Sequence, residues 1–109
     1  MLVLIDESLP RRLRRELPGF EVVTVQKQGW SSLENGELLR NAEIAGFEGF
    51  ITADQNIQYQ QSLSKTKLRI IVLATHSNRF AEVRQLAPEI VTALREMLPG
   101  ELRVIRGDG

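Results

Sequence analysis

No cysteine occurs in the 109 residues. That absence removes disulfides, thiolate zinc sites and cysteine nucleophiles together. A metal would have to be held by oxygen donors, which favours Mg²⁺ or Mn²⁺ over zinc. Histidine occurs once, at His76, with no Ser-His-Asp arrangement legible around it. There is no excess of either charge, since Lys+Arg and Asp+Glu each number 14. A protein that grips phosphates non-specifically usually carries a basic surplus, so any nucleic-acid binding has to come from a local patch. No glycine-rich phosphate loop is present, which argues against nucleotide hydrolysis of the P-loop kind. Long apolar runs are also missing. The first run, residues 2–5, stops at Asp6, far short of a signal-peptide core or a membrane span. No membrane association and a cytoplasmic location are therefore expected.

What is present is an ordinary globular composition, 42% hydrophobic and 26% charged. The length suits a single domain over residues 1–109, able to bury roughly two thirds of its unfolded surface without a covalent staple. Residues 2–5 (Leu-Val-Leu-Ile) form an unbroken β-prone run, as expected of a central strand covered on both faces. Ser8 is placed to cap a helix with Pro10 in its first turn, and Leu9, Leu13 and Leu17 give that helix one apolar stripe. Pro18-Gly19 ends it. A second strand is read over 21–25, followed by a loop over 26–32. The next helix opens at Asn35-Gly36, buries Leu38, Leu39, Ala42 and Ala45, and closes at Gly46.

Residues 50–53 read as a third strand with Asp54 at its end. A glutamine-rich short helix is expected over 55–62, anchored by Ile57 and Leu63. Residues 69–73 read as a fourth strand. Residues 79–98 carry helical periodicity that Pro88 should split, and 102–105 add an edge strand before an RGDG tail. Alternation of strand and helix predicts an α/β fold, a three-layer α/β/α sandwich on a mainly parallel sheet. Strand 1 belongs at the centre, in the order 2-1-3-4 with the extra edge strand outside. Ligands bind such sheets outside the carboxyl ends of the strands, where the order switches direction. Asp6 and Asp54 become neighbours there.

Two aspartates at adjacent strand ends can share a hard divalent ion that keeps open positions for water and phosphate. Glu37, in the first turn of the helix after the loop, can reach over the same edge, and Glu7 adjoins it. The structural alternative is that an aspartate at a strand end merely caps the next helix.

LVLIDESLP, NGELLRNAE and FITADQNIQYQQSL together resemble the short bacterial PIN-like proteins, relatives of the VapC-type toxin ribonucleases. The resemblance spans residues 2–75. It implies a PIN-like sandwich, Mg²⁺- or Mn²⁺-dependent cleavage of RNA, and a small antitoxin protein as partner, with a homodimer left open. It equates Asp6 and Asp54 with the family's metal-binding aspartates, and Thr52 with the hydroxyl of its T-x-D segment. Asn35 and Asn56 stand where these proteins often carry acids, with Glu37 available as a third carboxylate.

Arg11, Arg12, Arg14 and Arg15 cluster on one side of the first helix, as an RNA-phosphate contact or a solvated face. Tyr59 with Gln58, Gln60 and Gln61 can contact bases or form a plain polar surface, while Trp30 is expected to cover the core. Two alternatives to the nuclease remain. One is a degenerate PIN-like module that binds RNA or a partner without cutting. The other is a receiver-like signalling domain, with Thr75 after the fourth strand but Val104-Ile105-Arg106 where a lysine is required.

Overall fold

The short apolar runs become strands in a computed structural model that describes residues 1–107. The end of the expected tail, Asp108 and Gly109, and the side chains of Gln61 and Ser62 lie outside the described residues. The strands are β1 (Leu2–Ile5), β2 (Glu21–Thr24), β3 (Gly49–Thr52), β4 (Arg69–Ala74) and β5 (Leu102–Arg106). They form one sheet in the order β2-β1-β3-β4-β5, and every pairing is parallel.

Alternation along the strands divides the core in two. Val3, Ile5, Ile51, Ile71, Leu73 and Ile105 face one cluster, completed by the segment Arg11–Glu16 and by helices α3 (Phe80–Arg84) and α4 (Ala87–Glu96). Leu4, Phe50, Ile70 and Val72 face the other, completed by α1 (Val25–Gln28), α2 (Asn35–Ile44) and the segment Gln55–Tyr59. Helical segments thus cover both faces, which is why the central strands carry no polar alternation. Among the described residues no helix is long and apolar enough to cross a membrane.

Local geometry departs from the sequence-based expectation at several points, each with a physical cause. Arg11–Glu16 is a 3₁₀ helix, not an α-helix, and Ser8 does not cap it. Pro10 is extended, at φ −66° and ψ 136°, so only six residues remain before Leu17. So short a segment gains little from α-helical cooperativity, and the tighter 3₁₀ form serves as a connector between β1 and β2. Leu9, Leu13 and Leu17 are nonetheless all buried. Part of the expected loop after β2 is α1, whose start is capped by Thr24 Oγ1 accepting the Lys27 N–H at 3.1 Å. Its end is Gly29, at a φ of +76° that favours glycine.

Ala45 is exposed, contrary to expectation. It is the C-cap residue just past α2, and Gly46 at φ +92° turns the chain so that Phe47 enters the core instead. The 55–62 stretch is two 3₁₀ segments, Gln55–Tyr59 and Gln61–Lys65, broken at the extended Gln60. Pro88 does split the long helical stretch. It sits in the first turn of α4, where its missing N–H has no partner to lose. β3 begins at Gly49, one residue early. A Cβ there would lie 3.1 Å from Leu94 Cδ2, so glycine lets α4 pack close against the sheet.

Candidate functional site

β1 and β3 lie side by side in parallel, with Ile5 opposite Ile51. The Asp6 N–H donates to Ile51 O at 2.9 Å, extending the ladder one step past β1. This register brings the residues after both strands to the same edge. Two hydroxyls then join them. Thr52, with 1% of its surface exposed, donates from Oγ1 to Asp6 Oδ2 at 2.9 Å and accepts the Asp54 N–H at 3.0 Å. Ser8 donates from Oγ to the same Asp6 Oδ2 at 2.6 Å and accepts the Ala53 N–H at 3.1 Å.

Ser8 therefore works across the sheet, and that is why it is not available to the segment after it. Hydrogen bonds to an ionised acceptor are short and strong, and two of them fix the Asp6 carboxylate. Both fall on Oδ2. Oδ1 has no protein donor among the described residues.

Asp54 combines the functional and the structural reading. Its Oδ1 accepts the Asn56 N–H at 3.0 Å, so it caps the 3₁₀ segment that follows. Its Oδ2 faces the other way, where Asn35 Nδ2 approaches at 3.4 Å from the start of α2. Asp6, Asp54, Asn35 and Glu7 line one open cleft of about 530 Å³. Its remaining wall is largely apolar, formed by Val25, Trp30, Leu33 and Leu38. Trp30 is half-buried: it packs edge-on against Phe47, with ring centroids 6.0 Å apart, and also borders the cleft.

The other sequence-derived candidates are placed less centrally. Glu37 is exposed in the first turn of α2 and is not among the residues lining the cleft. Among the described residues no three Asp, Glu or His side chains gather as a metal-holding group. Arg11, Arg12, Arg14 and Arg15 are all exposed but have different surroundings. Arg12 lies over the Phe80 ring at 4.2 Å, whereas Arg11 and Arg14 border a separate groove beside β2. Tyr59 is 80% exposed at the end of the segment that Asp54 caps. Thr75 turns its hydroxyl onto Ser77 O at 2.6 Å and shares a pocket with His76 and Arg106, not with Asp54.

Sequence reasoning missed two contacts. Ser8 stands two residues after Asp6, a spacing equally suited to capping. Asn35 registered only as a departure from an acid, although its amide reaches Asp54.

No family model, curated protein or solved structure matches the chain.

Proposed function

We propose that the protein is a small PIN-like ribonuclease that cleaves RNA phosphodiesters with Mg²⁺ or Mn²⁺, acting as the toxin of a toxin–antitoxin pair. One observation carries the reading. Asp6 and Asp54, just past the ends of adjacent strands, are linked by the buried hydroxyl of Thr52, which donates to the Asp6 carboxylate and accepts the Asp54 N–H, and both line one cleft. A structural cap needs no such bridge. The resemblance of residues 2–75 to PIN-like proteins supplies the reaction class and the antitoxin.

The donor set fits the metal. Mg²⁺ is usually held by one or two carboxylates and keeps several waters. Asp6 offers Oδ1, and Asp54 offers Oδ2 at the loss of the long Asn35 contact. A bound ion supplies an activated water and neutralises charge on the phosphate. The chain's own residues do the rest. Ser8 and Thr52 hold the Asp6 carboxylate in place, so little reorganisation is needed when a cation binds. Trp30, Leu33 and Leu38 give the cleft an apolar wall alongside the acids.

The second reading, a PIN-like module that binds RNA or a partner without cutting, is favoured by Asn35. Its amide lies against Asp54 Oδ2 where an acid would add charge to the site.

The deciding experiment is a Mn²⁺ titration read by melting temperature and by cleavage of single-stranded RNA. An ion that binds only the folded protein stabilises it by about 2.7 kcal/mol at 100 times its Kd. Asp6→Asn and Asp54→Asn should each remove that shift and the cleavage while leaving the protein folded. Metal binding without cleavage favours the binding module. Phosphorylation by a small phosphodonor favours a receiver-like domain. A wild type that shows neither a metal shift nor cleavage refutes the nuclease.

A further inference from the structure

The 28 charged side chains balance to zero, yet they are not evenly spread. Beside the edge strand β2 runs a groove of about 550 Å³ bordered by Arg11, Arg14 and Lys27, with no carboxylate among its lining residues. None of these three cations has an ion-pair, hydrogen-bond or ring partner for its side chain among the described residues. Four of the other basic residues are engaged. Arg84 pairs with Glu16 at 2.9 Å, Arg103 pairs with Glu96 at 3.3 Å, Arg69 donates to Met97 O, and Arg12 covers Phe80.

Three uncompensated cations in one concave strip repel one another and favour an anion that spans them all. Gln26 and Gln28 add neutral donors and acceptors along the same groove. The groove also leads somewhere. Val25 borders the carboxylate cleft, while its neighbours Thr24 and Gln26 border the groove, so α1 is the ridge between the two. Arg11 follows closely on the Asp6–Ser8 corner, and Arg14 lies one 3₁₀ turn further along.

We propose that this groove is the track for the phosphodiester backbone of single-stranded RNA. Arg11, Arg14 and Lys27 each meet a phosphate and lead the strand over α1 into the Asp6–Asp54 cleft. The choice of RNA as occupant rests on the proposed ribonuclease reading. The binding itself does not require the metal, so the two can fail separately. Lys27 joins the RNA-contacting set, and Arg12 and Arg15 leave it.

The test measures fluorescence anisotropy of a short fluorescein-labelled RNA with the full-length protein in EDTA, across a salt series. Each phosphate contact contributes about 0.7 to the slope of log affinity against log salt for single strands. The wild type should therefore lose affinity roughly 20-fold between about 50 and 200 mM salt through these three contacts. The triple variant Arg11→Gln, Arg14→Gln, Lys27→Gln should lower the slope by about 2 units. The double variant Arg12→Gln, Arg15→Gln should leave it unchanged. All five side chains are exposed, so circular dichroism and melting temperature should confirm intact folding. An unchanged slope in the triple variant, or an equal fall in the double one, overturns the proposal. Failure to bind RNA, with polyglutamate bound in its place, also overturns it and assigns the groove to an acidic protein partner. Absence of a Mn²⁺ shift alongside the expected slopes removes the metal reading and leaves the groove standing.

Discussion

Replacing Thr52 by valine keeps the side-chain volume and removes one hydroxyl, which isolates the bridge between the two aspartates. Thr52 is 1% exposed, and its Oγ1 serves as donor to Asp6 Oδ2 and acceptor for the Asp54 N–H. A hydrogen bond to a charged group contributes about 1.5–3 kcal/mol, and an orphaned buried donor costs about 1–3 kcal/mol. Both aspartates are partly exposed, so water recovers part of each loss. The net cost expected for Thr52→Val is about 2–4 kcal/mol. At about 4 °C per kcal/mol for a chain of this size, the melting temperature should fall by roughly 8–16 °C.

Thr52→Ser provides the comparison, since it keeps the hydroxyl and deletes one methyl, a loss of about 1 kcal/mol. Urea denaturation should rank wild type above serine and serine above valine, with similar m-values. In an Asp6→Ala background the valine substitution should cost about 1 kcal/mol less, because one of its two partners is already gone. A valine variant as stable as wild type, or more stable than serine, refutes the bridge as a stabilising element.

Three further outcomes follow from particular contacts. At saturating Mn²⁺ the melting temperature should rise by about 10 °C, from the binding linkage above, and Asp54→Asn should abolish the rise; differential scanning fluorimetry reads both. Trp30, the only tryptophan, borders the carboxylate cleft, so its emission should change when RNA enters, and Asp6→Asn with no metal should still show the change if entry is guided by the groove. Gly49→Ala brings a methyl to 3.1 Å from Leu94 Cδ2 and should destabilise by about 1–3 kcal/mol through overpacking; adding Leu94→Val should recover part of that in urea denaturation, and full additivity would contradict the contact.

Much of the scaffold was legible because burial on both faces leaves a plain mark in sequence. Leu2–Ile5 and residues 70–74 are continuous apolar runs, the pattern of a strand covered on both faces. Alternation with helical segments pointed to the parallel sheet, and the order β2-β1-β3-β4 follows from placing the first strand centrally. The glycines and prolines also read correctly where they act through their own backbone, as Pro88 and Gly46 do. Side-chain hydrogen bonding read less well. Ser8 and Thr24 are both competent caps, but Thr24 caps α1 while Ser8 bonds across to β3. A local pattern cannot separate these outcomes, because the competing partner of Ser8 lies 45 residues away.

The sequence by itself determined which residues are buried in the strands and which acids end them, since both are set by local polarity along the chain. Tertiary structure alone decided what those acids touch. The parallel register of Ile5 with Ile51 sets the ends of β1 and β3 side by side, and so gives Asp6 the hydroxyl of Thr52. The approach of α2 brings Asn35, not Glu37, to Asp54. The fold also divided four adjacent arginines, sending Arg12 onto Phe80 and leaving Arg11 and Arg14 with Lys27. Neighbours on a short 3₁₀ segment point in different directions, and which direction meets solvent, ring or groove depends on chain packed from elsewhere.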